Sequence, residues 1–217
     1  MTLFNASIDT ELRPFVFLAT KKTGPDPAVH EIIEFAAIRV DPRMLAVESQ
    51  QTFKIQPSSL EQADPAALDD AGYDEEAWKD ALTYDQAITR ILPILDGATL
   101  AGHQVALDRE FLDQMWQRHG KSPQVSRHLF DTVTLAWPLI VDGTVKAMSL
   151  DAIAQALEVE READMPKAMA DARASLEIAR HLLTPDEEPA SEHVDICDLA
   201  AHLSQAFTEW VADRAQA

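Results

Sequence analysis

Two periods of apolar spacing alternate along this chain, and the switches between them outline its elements. Phe15, Val16, Phe17 and Leu18 form a continuous apolar run, which predicts a buried strand over 15–19. "EIIEFAAIRV" (31–40) predicts a second strand, and the alternation in "QQTFKIQP" (50–57) a third. The short pieces between them carry the Pro and Asp of turns, so the three strands are expected to form an antiparallel meander. Residues 58–82 are rich in Ala, Asp and Glu and read as a loop with short helical pieces.

The period then becomes helical. Thr83 followed by Gln86 has the form of a capping box, opening a helix through Ile88, Ile91, Leu92 and Leu95. "GATLAGHQ" (97–104) reads as a short strand between glycines. It feeds a helix over 106–120, where Leu107, Phe111, Met115 and Trp116 share a stripe and Gly120 fits the C-cap. Further helices are predicted over 128–140, over 149–159 with Ser149 as N-cap, and over 169–183. Strands first, then strand and helix in alternation, imply an α/β sheet with helices packed on it.

After Leu183 the composition changes. The expected organisation is a domain over 1–183, an acidic Pro-bearing linker over 184–195, and a C-terminal helix over 196–217. In that tail Ile196, Leu199, Leu203, Phe207 and Trp210 recur at three- and four-residue steps. Two roles stay open for the stripe. It docks on its own domain, or it forms a homodimer or protein-partner contact with Phe207 and Trp210 as anchors.

Charge narrows the partners. With 18 basic against 37 acidic residues the formal charge is −19, which opposes general attraction to nucleic acid or anionic membrane while leaving a local basic groove open. The single cysteine, Cys197, excludes an intramolecular disulfide framework and a cysteine-based zinc site. The N-terminus lacks a basic start followed by an apolar run, and no stretch reaches membrane-spanning length. A cytoplasmic protein without membrane contact is the expectation.

Three short segments carry the candidate chemistry: "ATKKTG" (19–24), "GHQVALDREFL" (102–112) and "PKAMADA" (166–172). In this order, and on these elements, they resemble the motifs of the DnaQ-like (DEDDh) 3′–5′ exonucleases over roughly residues 14 to 183. The resemblance implies a ribonuclease H-like fold, a mixed sheet flanked by helices. In that family the first motif reads Asp-Thr-Glu-Thr-Thr-Gly, the second Gly-His-Asn with a following Asp, and the third His-x-Ala-x-x-Asp-Ala. The family's four carboxylates hold two magnesium or manganese ions, suited by hard oxygen ligands, and the histidine is the general base.

Residue by residue, the resemblance makes Asp108 and Asp171 the two remaining acids. Ala19 stands at the first aspartate, Lys21 at its glutamate partner and Pro166 at the histidine. Thr23, Gly24, His103, Gln104 and Phe111 fall where relatives contact nucleic acid or shape the terminal nucleotide's pocket. His103 reads as a packed strand-end histidine rather than a ligand, Phe111 reads equally as core, and Glu34 reads as inherited scaffold. Asp108 and Asp171 have plainer readings as a first-turn helix acid and a solvated helix acid.

The substitutions differ in kind. Ala19 lacks a donor, whereas Lys21 brings a cation to a cation site. Two unit charges about 4 Å apart interact by about 4 kcal/mol at an effective dielectric of 20, and a dication by roughly twice that. Relaxation and a shifted lysine pKa would soften this repulsion. Lys21 or Lys22 is expected instead to pair with Asp108 and Asp171, two ammonium groups against two carboxylates. The expected function is therefore a degenerate exonuclease homologue, a nucleic-acid-binding or protein-scaffolding module. No metal cofactor is expected, and single-stranded nucleic acid is expected to bind weakly. The alternative is an active single-strand 3′–5′ exonuclease with an atypical Mg2+ or Mn2+ site.

Overall fold

The computed structural model describes residues 12–162 and 164–183. The expected linker and C-terminal helix lie outside the described residues. The meander is present as β1 (Phe15–Lys22), β2 (Ile32–Val40) and β3 (Val47–Lys54), with β1–β2 and β2–β3 both antiparallel. β1 runs three residues past its predicted end, because Thr20 and Lys21 stay paired with Phe35 and Glu34 of β2. Lys21 and Lys22 therefore sit on the strand itself, not in a turn.

The chain next forms α1 (Pro65–Ala71) and α2 (Tyr84–Leu95), the latter opened by the Thr83–Gln86 capping box. β4 (Thr99–Gly102) then pairs parallel with β1 and leads into α3 (Val105–His119), whose C-cap Gly120 is left-handed as its position predicted. At Gly102 a Cβ would lie 2.6 Å from the Leu18 carbonyl oxygen, so the approach of β4 to β1 requires glycine there.

The helix predicted over 128–140 is replaced by three pieces: β5 (Leu129–Asp131), α4 (Thr132–Leu135) and α5 (Trp137–Val141). β5 pairs parallel with β4, and Phe130 packs its ring 4.9 Å from Phe15 and 5.9 Å from Phe17. Asp131 ends the strand by accepting hydrogen bonds from the backbone N–H groups of Val133 and Val105. Pro138 lies in the first turn of α5, where its missing N–H costs nothing. α6 (Leu150–Ala156) is capped by Ser149, and α7 (Lys167–Leu183) closes the described body.

The five strands lie in the order β3-β2-β1-β4-β5, which makes β1 the central strand. Its alternating side chains enter two separate cores. Val16 and Leu18 join Ile88, Ile91, Leu112 and Met115 of α2 and α3. Phe17 and Ala19 face Ala168, Ala172 and Leu176 of α7. Truncating a fully buried Phe such as Phe17 to Ala typically costs about 3–5 kcal/mol, so this packing holds the end of β1 in a defined place.

Candidate functional site

An open cleft of about 920 Å³ lies where β1 ends, between the start of α3 and the first turns of α7. Strand alternation distributes the two lysines across it. Thr20 and Lys22 point toward α3, and both reach Asp108: Thr20 Oγ1 donates to Asp108 Oδ1 at 2.6 Å and Lys22 Nζ at 2.7 Å. Lys21 points the other way, toward α7, and its Nζ lies 3.0 Å from Asp171 Oδ2. One ammonium thus meets each remaining acid, on opposite sides of the sheet's edge.

Asp108 is 5% exposed, so its carboxylate is held by these two donors with little help from solvent. Lys22 also donates to the Thr20 carbonyl oxygen at 3.3 Å and lies over the Phe111 ring, 5.3 Å from its centroid. Asp171 is bracketed: Lys21 holds one oxygen and Arg161 the other. Lys21 also pairs with Asp70 of α1 at 2.9 Å, and Arg161 with Asp151 of α6. Asp70–Lys21–Asp171–Arg161–Asp151 form a line of alternating charge across the cleft.

Two opposing influences set the Lys21 pKa in this line. Burial, the largest single influence, pulls the Lys21 pKa down, but the attraction and hydrogen bonds of Asp171 and Asp70 outweigh it. The net shift is upward from 10.5, so Lys21 is held as ammonium. Glu34, opposite Lys21 in the β1–β2 pairing, is 2% exposed, and its pKa also shifts upward, which for a carboxyl favours the neutral form. Burial raises its pKa above 4.5 against the opposing pull of the Ala168 backbone, Lys54 and Lys21. Its Oε1 has no hydrogen-bond partner among the described residues.

The other candidates are only partly gathered. Gly24, His103 and Gln104 line the cleft with Ala19. The His103 Nδ1 lies 3.0 Å from Thr132 Oγ1, and burial, opposed chiefly by Asp131, lowers its pKa and keeps the ring neutral at pH 7. Gln104 takes the left-handed conformation (φ 53°) just before α3. Thr23 is buried and bonds Glu31 twice, its N–H donating to the Glu31 carbonyl and its Oγ1 accepting the Glu31 N–H, both at 2.9 Å. Phe111 lies in the core beneath Lys22. Pro166 immediately precedes α7, and its carbonyl accepts the Ala170 N–H at 3.0 Å.

Sequence reasoning missed Asp70, Asp151, Arg161 and Lys167 as cleft residues. The Asp70 side chain is 69% exposed while still pairing with Lys21. None of the four has a motif of its own, and each joins the site only through tertiary contact.

A central strand ending between two acid-bearing helices, in a mixed five-stranded sheet, defines a ribonuclease H-like fold of the DnaQ-like 3′–5′ exonuclease type. An exonuclease (RNase_T) family model matches residues 22–179, and the chain belongs to that family. It is 28% identical over 183 residues to the PolC-type DNA polymerase III of Caldanaerobacter subterraneus, covering 84% of this chain and 12% of that protein. It is 26% identical over 155 residues to that of Thermotoga petrophila, covering 70% of this chain and 11% of that protein. The chain therefore spans roughly a tenth of these curated relatives.

Among solved structures, Escherichia coli exonuclease I in complex with a dT13 oligonucleotide aligns with a TM-score of 0.67 at 20% identity, covering 77% of this chain and 40% of that one. The exonuclease I–SSB-Ct complex aligns with a TM-score of 0.66 at 18% identity, covering 79% and 41%. At these identities the likeness is one of fold. Among the described residues no helix is long and apolar enough to cross a membrane.

The donor set does not fit the two divalent ions that the family resemblance implies. Such ions need several oxygen ligands with lone pairs directed at them. Ala19 supplies none, Asp108 Oδ1 is engaged by Thr20 and Lys22, and both oxygens of Asp171 are engaged by cations. Among the described residues no group of three or more His, Cys, Asp or Glu side chains is arranged to hold a metal ion.

Proposed function

We propose that this chain is a catalytically silent member of the exonuclease family, in which Lys21 and Lys22 stand in for the metal ions and the domain serves as a binding or scaffolding module. The observation that carries the reading is the pairing of Lys22 with Asp108 at 2.7 Å and of Lys21 with Asp171 at 3.0 Å. The ammonium groups neutralise the two acids, and neither they nor Pro166 offers a general base for activating water.

The charge of the cleft favours a protein partner over nucleic acid. Lys21, Lys22, Arg161 and Lys167 line it, but Asp64, Asp70, Asp108, Asp151, Glu162 and Asp171 do as well. Four basic against six acidic groups leave an excess of two negative charges, which disfavours a phosphate backbone. Exonuclease I has been crystallised with an oligonucleotide, and this keeps a single-stranded end as the natural competitor to test.

The test is a 3′-end-labelled single-stranded oligonucleotide incubated with magnesium or manganese, beside Ala19→Asp/Lys21→Glu/Pro166→His. The unmodified protein is expected to leave the label intact. Progressive shortening abolished by Asp108→Ala would establish the atypical-metal exonuclease instead. A mobility shift at low and high salt, using the same oligonucleotide, is expected to show no stable complex at high salt.

A further inference from the structure

We propose that α1 is a lid over the cleft, held down by Lys21 and Lys167 and released when their bonds to it are screened or removed. α1 and its N-cap bring Asp64, Ala67 and Asp70 to one side of the cleft, opposite Lys167 and Asp171. Within the helix only Ala71 is buried, so apolar packing anchors it weakly. α2 contrasts with it, burying Ala87, Ile88, Ile91 and Leu95.

Polar contacts hold α1 in place. Lys21 Nζ lies 2.9 Å from Asp70 Oδ2. Lys167 Nζ, at the start of α7, donates to the backbone carbonyls of Asp70 at 2.6 Å and Asp69 at 3.2 Å. These carbonyls close the C-terminal turn, where the helix dipole favours a cation. The aliphatic stem of Lys167 packs beside Gly72, the left-handed C-cap.

The flanks are fixed independently of the lysines. On one side the Asp64 N–H donates to the Thr23 carbonyl at 2.7 Å, and the His30 ring lies 3.1 Å from the Gln62 carbonyl. On the other, the buried Trp78 donates Nε1–H to the Ile33 carbonyl at 3.0 Å. The span between Asp64 and Trp78 can therefore move while both ends stay attached. Opening also strands no buried charge: Asp70 is 69% exposed on its side chain, and Lys21 keeps Asp171 when Asp70 leaves.

Hydrogen-exchange mass spectrometry on the full chain tests the lid. Asp70→Asn and Lys167→Met are each expected to speed exchange of the amides of 64–73 by about two- to five-fold, with α2 unchanged. Raising NaCl from about 0.05 M to about 0.5 M is expected to do the same to the unmodified protein and less to the variants. Unchanged exchange over 64–73 in Asp70→Asn, or equal acceleration of α1 and α2, overturns the proposal. Because Asp70 is exposed, its variant keeps the test decisive even if Lys167→Met unfolds the chain.

Discussion

Lys22 Nζ stands 2.7 Å from Asp108 Oδ1, joining the central strand to the first turn of α3 across a carboxylate that is 5% exposed. Removing one partner of such a pair leaves the other charge buried and unmatched. Lys22→Met is therefore expected to destabilise the fold by about 3 kcal/mol. Lys22→Met/Asp108→Leu, which removes both charges, should recover most of that loss. Urea unfolding of the two single variants and the double variant measures the coupling directly.

Lys21 gives a smaller effect and a distinct pH dependence. Asp171 keeps Arg161 when Lys21 is lost, so Lys21→Met is expected to cost about 1 kcal/mol. The Lys21 pKa is raised in the folded chain, so its contribution is fully present below 10.5 and is lost as pH rises through the higher folded-state value. Unfolding curves of the unmodified protein and Lys21→Met should converge on the alkaline side of 10.5. A difference that is constant through that range would show that Lys21 acts through packing alone.

Glu34 is expected to weaken the fold at neutral pH. Burial raises its pKa above 4.5, so the folded chain favours the neutral acid, and this contribution is lost as pH rises through the folded-state value. Glu34→Gln keeps the shape and removes the charge. It should stabilise the protein at pH 7 by on the order of 1 kcal/mol, with the gain closing as pH falls below 4.5. Thermal unfolding across the acid range checks both parts.

Much of the fold was legible because period and capping agree along the chain. The three meander strands, the Thr83 capping box and the Gly120 C-cap were all readable from local patterns. β5 was not, because three residues inside "HLFDTVTLAWPLI" carry no period of their own and become a strand only by pairing with β4. The candidate site was half legible. Motif order singled out Asp108, Asp171 and the lysines, but ending the first strand at Ala19 hid the alternation that sends Lys21 to α7 and Lys22 to α3. Asp70 lies 49 residues from Lys21 and is placed beside it only by the folded chain.

Manganese binding tests the central claim most directly, because it does not depend on choosing a substrate. Thermal unfolding would be followed during a manganese titration of the unmodified protein and of Ala19→Asp/Lys21→Glu/Lys22→Thr. A specific ligand at a hundred-fold excess over its Kd stabilises by about 2.7 kcal/mol. The lysine-occupied site predicts a saturable rise in Tm for the variant and none for the unmodified protein. A saturable rise in the unmodified protein, lost in Asp108→Ala, would contradict it.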